Sequence, residues 1–203
     1  MIRNVVFDMG NVIIVFDPEQ FMDREDINVP EDRRIIRNEV FRSLEWADMD
    51  RGLLREETAA PTILSRVPEH LKEKARNLIF NWAYPRTTVP GMEILIQRLK
   101  KAGYGIYLLS NASKAQPVYW SRMPVSEFFD GTLISCDVLT VKPDLGIYRM
   151  FTDKFGLIGE ECVFIDDAPI NVEAAVVSGW KGIVFNGSAK ETEEKLKSMG
   201  LMF

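Results

Sequence analysis

Residues 5–13 read VVFDMGNVI, and the organisation of the whole chain can be worked outward from them. The apolar run at 3–7 (RNVVF) is too short for a helix and stops at a carboxylate, Asp8. A short apolar run bounded by turn formers fits a strand buried on both faces, the kind a parallel sheet uses. Comparable runs recur at 105–109 (GIYLL), 131–135 (GTLIS), 162–165 (CVFI) and 182–185 (GIVF). Helical patterns separate them. In 90–102, Met92, Leu95, Ile96, Leu99 and Ala102 repeat at helical spacing, with Pro90 suited to the start and Gly103 to the stop. Ile147, Phe151 and Phe155 share one face of 145–155, and 169–178 opens on a proline and ends before Gly179. Strands alternating with helices predict an α/β fold, a Rossmann-like doubly wound parallel sheet.

The stretch from 17 to 86 breaks this rhythm, because it holds no strand candidate. Ile35, Ile36, Val40, Phe41 and Leu44 predict a helix over 30–44, and Leu71, Ala75, Leu78, Ile79 and Trp82 predict one over 68–82. A crossover between parallel strands needs only about 12 residues. The expected division is therefore an α/β core at 1–16 and 87–203 and a small inserted helical cap at 17–86. The charge-dense stretch Arg24–Arg34 is expected to be solvated surface.

Composition narrows the classes. The chain has 203 residues, 46% hydrophobic and 27% charged, which excludes a disordered chain and allows a real core. A net charge of −5 argues against a nucleic-acid surface. No apolar run approaches the roughly 20 residues of a membrane span. Asp8 and Asn11 interrupt the N-terminal apolar run, so it is a poor signal peptide, and a cytoplasmic location is expected. Cys136 and Cys162, both placed in strands, cannot make a disulfide framework or metal box and are expected to be reduced core residues.

In an open parallel sheet, ligands bind beyond the carboxyl ends of the strands. Asp8, Met9, Gly10 and Asn11 follow the first strand, Ser110 and Asn111 the second, and Asp166, Asp167 and then Asn171 the strand at 162–165. Lys142 and Pro143 precede the helix at 145–155. Three converging carboxylates, Asp8, Asp166 and Asp167, would repel one another unless a hard cation joined them, and Mg²⁺ takes one or two carboxylates with phosphate oxygens. Lys142 could neutralise a phosphate or the carboxylates. Ser110 and Asn111 offer donors, and Gly10 lets the backbone approach a ligand. An aspartate can attack phosphorus and carry the phosphoryl group. Plainer roles exist for each: Asp167 as a helix cap, Ser110 and Asn111 as turn residues, Lys142 as surface. His70, the one histidine, is expected on the surface, so zinc or histidine catalysis lacks parts.

The four clusters resemble the motifs of the haloacid dehalogenase (HAD) superfamily. VVFDMGNVI is similar to its first motif, YLLSNAS to the second, VKPDLGIY to the third and VFIDDAPINVEAA to the fourth. FDMGNVI and the stretch around Trp46–Gly52 are similar to bacterial sugar-phosphate phosphatases of the alpha-D-glucose-1-phosphate phosphatase type. They also resemble the amino-terminal phosphatase domain of soluble epoxide hydrolase. The resemblance implies a phosphoric monoester hydrolase acting on a small phosphorylated metabolite. Asp8 would be the nucleophile, Ser110 and Lys142 would hold phosphate with Asn111 beside them, and Asp8, Gly10, Asp166 and/or Asp167 would hold Mg²⁺. It places a cap where 17–86 lies. One position departs from the pattern. The family's second aspartate, two residues after the nucleophile, protonates the leaving group, and here that residue is Gly10. The gap leaves the acid/base unassigned and favours substrates with good leaving groups.

Three alternatives follow: a non-catalytic phosphate-binding homologue, a metal-free dehalogenase, and a phospho-accepting receiver domain, whose motif order differs. In the cap, Trp46, Asp50 and Arg51 are expected in an inter-helix loop, WADMDRG, turning at Gly52. Trp46 is a candidate to stack on substrate and Arg51 to contact it. Tyr119 and Trp120 either line the entrance or pack in the core. The C-terminal Leu-Met-Phe packs locally or in a dimer contact, which leaves monomer and homodimer both open.

Overall fold

The computed structural model describes residues 1–203. Five parallel strands form one sheet in the order β3-β2-β1-β4-β5: β1 (Asn4–Phe7), β2 (Gly105–Ser110), β3 (Gly131–Ile134), β4 (Cys162–Asp166) and β5 (Lys181–Val184). β1 is central, and all four of its residues are buried. Phe7 pairs in register with Leu108 on one side and Ile165 on the other. The sheet and its helices are the α/β doubly wound arrangement that the strand and helix pattern predicts.

Side chains alternate across a strand, so a strand buried on both faces feeds two cores. Val5, Phe7, Ile106, Leu108, Val163 and Ile165 enter one cluster, which α6 (Met92–Lys101) and α11 (Ala189–Ser198) cover. Val6, Leu109, Cys162 and Phe164 enter the other, which α9 (Leu145–Phe155) and α10 (Pro169–Val177) cover. Leu201 is buried in the first cluster and Phe203 packs against it beside Tyr104, so the C-terminus packs locally.

Between β1 and β2 lie α1 (Pro18–Arg24), α2 (Pro30–Ile36), α3 (Leu44–Asp50), α4 (Glu56–Arg66) and α5 (Lys72–Asn81). Sixteen buried apolar residues of these helices and the turns between them form a third cluster. Trp82 packs against both this cluster and the first. No helix is long and apolar enough to cross a membrane.

Several local expectations change. The helix expected at 30–44 is α2 followed by a π turn over Arg37–Phe41. The one expected at 68–82 opens with a 3₁₀ turn at Glu69–Leu71 before α5. Trp46 and Asp50 are not in a loop. Ser43 caps α3 by accepting from the Trp46 N–H at 3.1 Å, which draws the WADMD stretch into the helix, and the turn begins only at Arg51. Cys136 is not in a strand. β3 stops at Ile134, and Cys136 is buried in the short helix α8 (Ser135–Val138). The Arg24–Arg34 stretch is mostly exposed, though Glu25 and Asp32 are half-buried. Ile27 is buried, and Arg33 lies half-buried, bonded to Glu19 at 2.7 Å and Asp23 at 2.6 Å. His70 is exposed and 3.2 Å from Asp32.

Candidate active site

The site grows from the register of β1. The Asp8 N–H donates to the Ile165 carbonyl at 2.8 Å, carrying the β1–β4 pairing one residue past the strand. That step sets Asp8 beside Asp166, the last residue of β4. Lys142 enters from the loop before α9. Its ammonium donates to Asp8 Oδ1 and Asp166 Oδ2, each at 2.6 Å, and to the Leu109 carbonyl at 3.1 Å. An ammonium has three protons, and all three have acceptors here. Asp8, Lys142 and Asp166 are 8%, 4% and 0% exposed, so this is a buried charge cluster.

Neighbouring amides hold the cluster in place. Asn111 Oδ1 accepts from the Lys142 N–H at 2.8 Å, and its Nδ2 donates to the Lys142 carbonyl at 3.0 Å. Asn111 therefore clamps the Lys142 loop to the end of β2, and both ends of its amide are engaged. Asn171, five residues past Asp166, donates to both oxygens of that carboxylate at 3.1 Å, and the Ala168 N–H adds a bond at 2.8 Å. Asn11 adopts φ 55°, a left-handed conformation that asparagine tolerates. It donates to Asp167 Oδ2 at 3.1 Å and accepts from the Phe16 N–H at 2.9 Å. Ser110 is buried, and its hydroxyl has only a long contact, 3.4 Å, to the Asn111 carbonyl.

Burial pushes the Asp8 carboxyl up to about 6, against the opposing pull of the Lys142 charge. Burial would lower the Lys142 ammonium, but the Asp8 and Asp166 carboxylates outweigh it and leave it raised. Asp8, Asp166 and Asp167 each present an oxygen, all within 4.8 Å of one another. Three carboxylates against one ammonium leave net negative charge, and the donors are hard oxygens. The set fits a divalent cation of the Mg²⁺ type.

A cavity of about 230 Å³ opens onto the cluster. Asp8, Gly10, Asn11, Ser110, Asn111, Lys142, Asp167 and Asn171 line its sheet side. Phe16, Trp46, Met49, Asp50, Glu56, Ile79, Trp82 and Tyr119 line the opposite side. Trp46 sits 6.1 Å from Phe16 and 5.1 Å from Phe41, ring to ring, so it is wall and packing at once. Tyr119 is both buried and lining, and burial pushes its hydroxyl pKa up. Trp120 packs in the first cluster, 5.0 Å from Phe129. Arg51 is not part of the wall. It is exposed, and its guanidinium is 3.3 Å from Asp48, because the chain turns away from the cavity once α3 ends.

Asn11, Asn171, Asp50 and Glu56 join the site without a role that the sequence alone assigns them. The two asparagines lie within the first and fourth motifs, which is the signal for them. Asp50 and Glu56 reach the cavity only through the packing of α3 and α4. Burial and the Glu56 charge push the Asp50 carboxyl up to about 7.

Comparison with known proteins agrees with this geometry. The chain is 27% identical over 160 residues to flavin mononucleotide hydrolase 1 of Arabidopsis thaliana, a match covering 77% of this chain and 62% of that protein. It is 24% identical to the sesquiterpene phosphatase AstK of Aspergillus oryzae over 98% of this chain and 97% of the other. A HAD family enzyme of Bacteroides thetaiotaomicron, solved with magnesium and inorganic phosphate, superposes with a TM-score of 0.68 at 20% identity, covering 93% of this chain and 96% of that one. At that identity the structural likeness is one of fold. The profile of the haloacid dehalogenase-like hydrolases matches residues 2–179, and with the strand-end cluster of Asp8, Lys142 and Asp166 it establishes that the chain belongs to the haloacid dehalogenase-like hydrolase family.

Proposed function

We propose that this protein is a Mg²⁺-dependent phosphatase that hydrolyses a small phosphorylated metabolite, of the sugar-phosphate class, through an aspartyl-phosphate on Asp8. The observation that carries this reading is the group of Asp8, Asp166 and Asp167 within 4.8 Å of one another, opening onto a cavity. Asp8, Asp166, Asp167 and the Gly10 backbone would hold the ion. When bound, the ion neutralises charge between an anionic nucleophile and an anionic ester. Lys142 holds Asp8 Oδ1, which orients the carboxylate and leaves its second oxygen to attack phosphorus. Ser110 offers its hydroxyl to a phosphate oxygen, and Asn111 keeps Lys142 in position.

Residues 17–86 act as the cap, over a core of 1–16 and 87–203. A cavity of about 230 Å³ has room for a phosphoryl group and a small remainder. Lys142 is its one cationic lining residue, so nothing in the wall invites a second anionic group. Aromatic faces from Trp46 and Trp82 beside the Asp50 and Glu56 carboxylates suit a hydroxyl-rich group that stacks and donates.

The test is phosphate release from sugar, nucleotide, acyl and p-nitrophenyl phosphates, each with Mg²⁺ and with EDTA. Release that requires Mg²⁺ and disappears in Asp8→Asn is expected. Folded protein that binds Mg²⁺ but releases no phosphate would favour a non-catalytic binder, and halide release insensitive to EDTA would favour a dehalogenase.

A further inference from the structure

We propose that Asp50, at the last turn of α3, is the general acid and base of the reaction, replacing across the cavity the carboxyl that Gly10 cannot supply. The proposal rests on the phosphatase reading and deepens it. The other carboxylates and the ammonium in the cavity wall are engaged, and the Tyr119 hydroxyl, whose pKa burial raises, is a poor acid. Asp8 is the nucleophile, the Lys142 protons are all bonded, and Asp167 accepts from Asn11. Glu56 Oε1 accepts from the Ser113 hydroxyl. The Asp50 carboxylate lines the same cavity and has no hydrogen bond or ion pair to the protein, only burial and the Glu56 charge acting on it.

Its backbone, by contrast, is firmly seated. The Ser135 hydroxyl donates to the Asp50 carbonyl at 2.5 Å. Two residues on, Gly52 lies so close to α8 that a Cβ would come within 2.3 Å of the Cys136 carbonyl oxygen. A carboxyl on a fixed backbone, with no protein partner of its own, is placed for proton transfer to a bound molecule. The groups facing it are Glu56 from α4, Tyr119 from α7 (Gln116–Trp120) and Cys136 from α8. Burial raises the pKa of both Tyr119 and Cys136, which keeps them neutral and leaves Glu56 as the charged neighbour. Burial and that neighbour hold the Asp50 proton up to about pH 7.

The proton accounting closes over two steps. In the first, an Asp8 oxygen forms a bond to phosphorus as the ester P–O bond breaks. The departing oxygen takes the Asp50 proton and leaves as the alcohol. In the second, a water oxygen bonds to phosphorus, its proton passes to the Asp50 carboxylate, and the Asp8–phosphorus bond breaks. Phosphate leaves, and both aspartates return to their starting forms.

The experiment measures first-turnover release from p-nitrophenyl phosphate, phenyl phosphate and benzyl phosphate by the wild-type protein and Asp50→Asn, in Mg²⁺, across pH. p-Nitrophenolate needs no proton to depart, so its release should fall far less than that of benzyl alcohol, and the circular dichroism spectrum of the variant shows that it is folded. Benzyl alcohol does need one, and its release should fall by about 10²–10⁴. Wild-type release from benzyl phosphate should decline as pH rises through about 7, and Asp50→Asn should lack that limb. Equal loss on all three compounds, or no loss on any, overturns the role of Asp50 while leaving the phosphatase reading intact. Absence of wild-type release from all three overturns both.

Discussion

At the scale of single residues, the site is an exercise in placing charge where water is scarce. Lys142 is tolerated at 4% exposure because three oxygens receive its protons. Asp50 is the opposite case, a carboxylate with no protein partner. Its proton is held up to about 7 in the folded protein against an ordinary value near 3.8. The folded state therefore binds that proton more tightly than the unfolded state does. The favourable contribution is complete below pH ~4 and is lost as pH rises through about 7. Asp50→Asn removes the titration, so it is expected to be more stable than wild type by about 2–4 kcal/mol near pH 8, with the difference vanishing near pH 4. Urea unfolding of both proteins at the two pH values checks this. A residue whose removal stabilises the fold is one retained for another purpose.

At the scale of elements, what matters is where α3 ends. Ser43 starts it and the turn at Arg51–Gly52 stops it, which leaves Asp50 on the last turn against α8. Gly52 has φ 78°, and its missing side chain is what allows the close approach to Cys136. Gly103, with φ 89°, has nothing within 4 Å of where a Cβ would stand. The pair separates backbone strain from contact. Gly103→Ala is expected to cost about 1–2 kcal/mol from strain alone. Gly52→Ala adds overlap with backbone that has little room to move, and should cost at least about 1–3 kcal/mol more. It should also slow turnover, because the seat of Asp50 shifts. Denaturant unfolding and first-turnover rates, measured on both variants, test the difference.

At the scale of the whole molecule, the proposed cation site is a product of the folded sheet. Asp8 and Asp166 are 158 positions apart and meet only when β1 and β4 pair. An unfolded chain cannot assemble that oxygen set, so the ion should bind the native state alone and stabilise all of it. Mg²⁺ at a hundred times its dissociation constant is expected to add about 2.7 kcal/mol to the unfolding free energy. EDTA should reverse the gain, and Asp166→Asn should abolish the response. Unfolding midpoints with and without Mg²⁺ would show it, with no substrate present. The helical insertion joins the same unit through Trp82, which packs against the insertion's own cluster and the sheet's.

What could be read directly from the residues is local or periodic in origin. Apolar runs of strand length, helical spacing and turn formers fix which segments are strands and helices, and strand ends in a parallel sheet fall at one edge. Asp8, Ser110 and Asp166 are legible as candidates for that reason, and Lys142 as the cation in the loop before α9. Asn111 was legible as a site residue, but its engagement with the Lys142 backbone was not, since that depends on how two loops meet. Arg51 illustrates the same limit from the other side: its charge suggested a ligand contact, and the end of α3 turns it toward Asp48 and solvent. Asp50 and Glu56 carry no motif. Their place in the cavity wall, and the raised pKa of Asp50, come from the way α3 and α4 pack over the strand ends, because burial and proximity are properties of the folded whole.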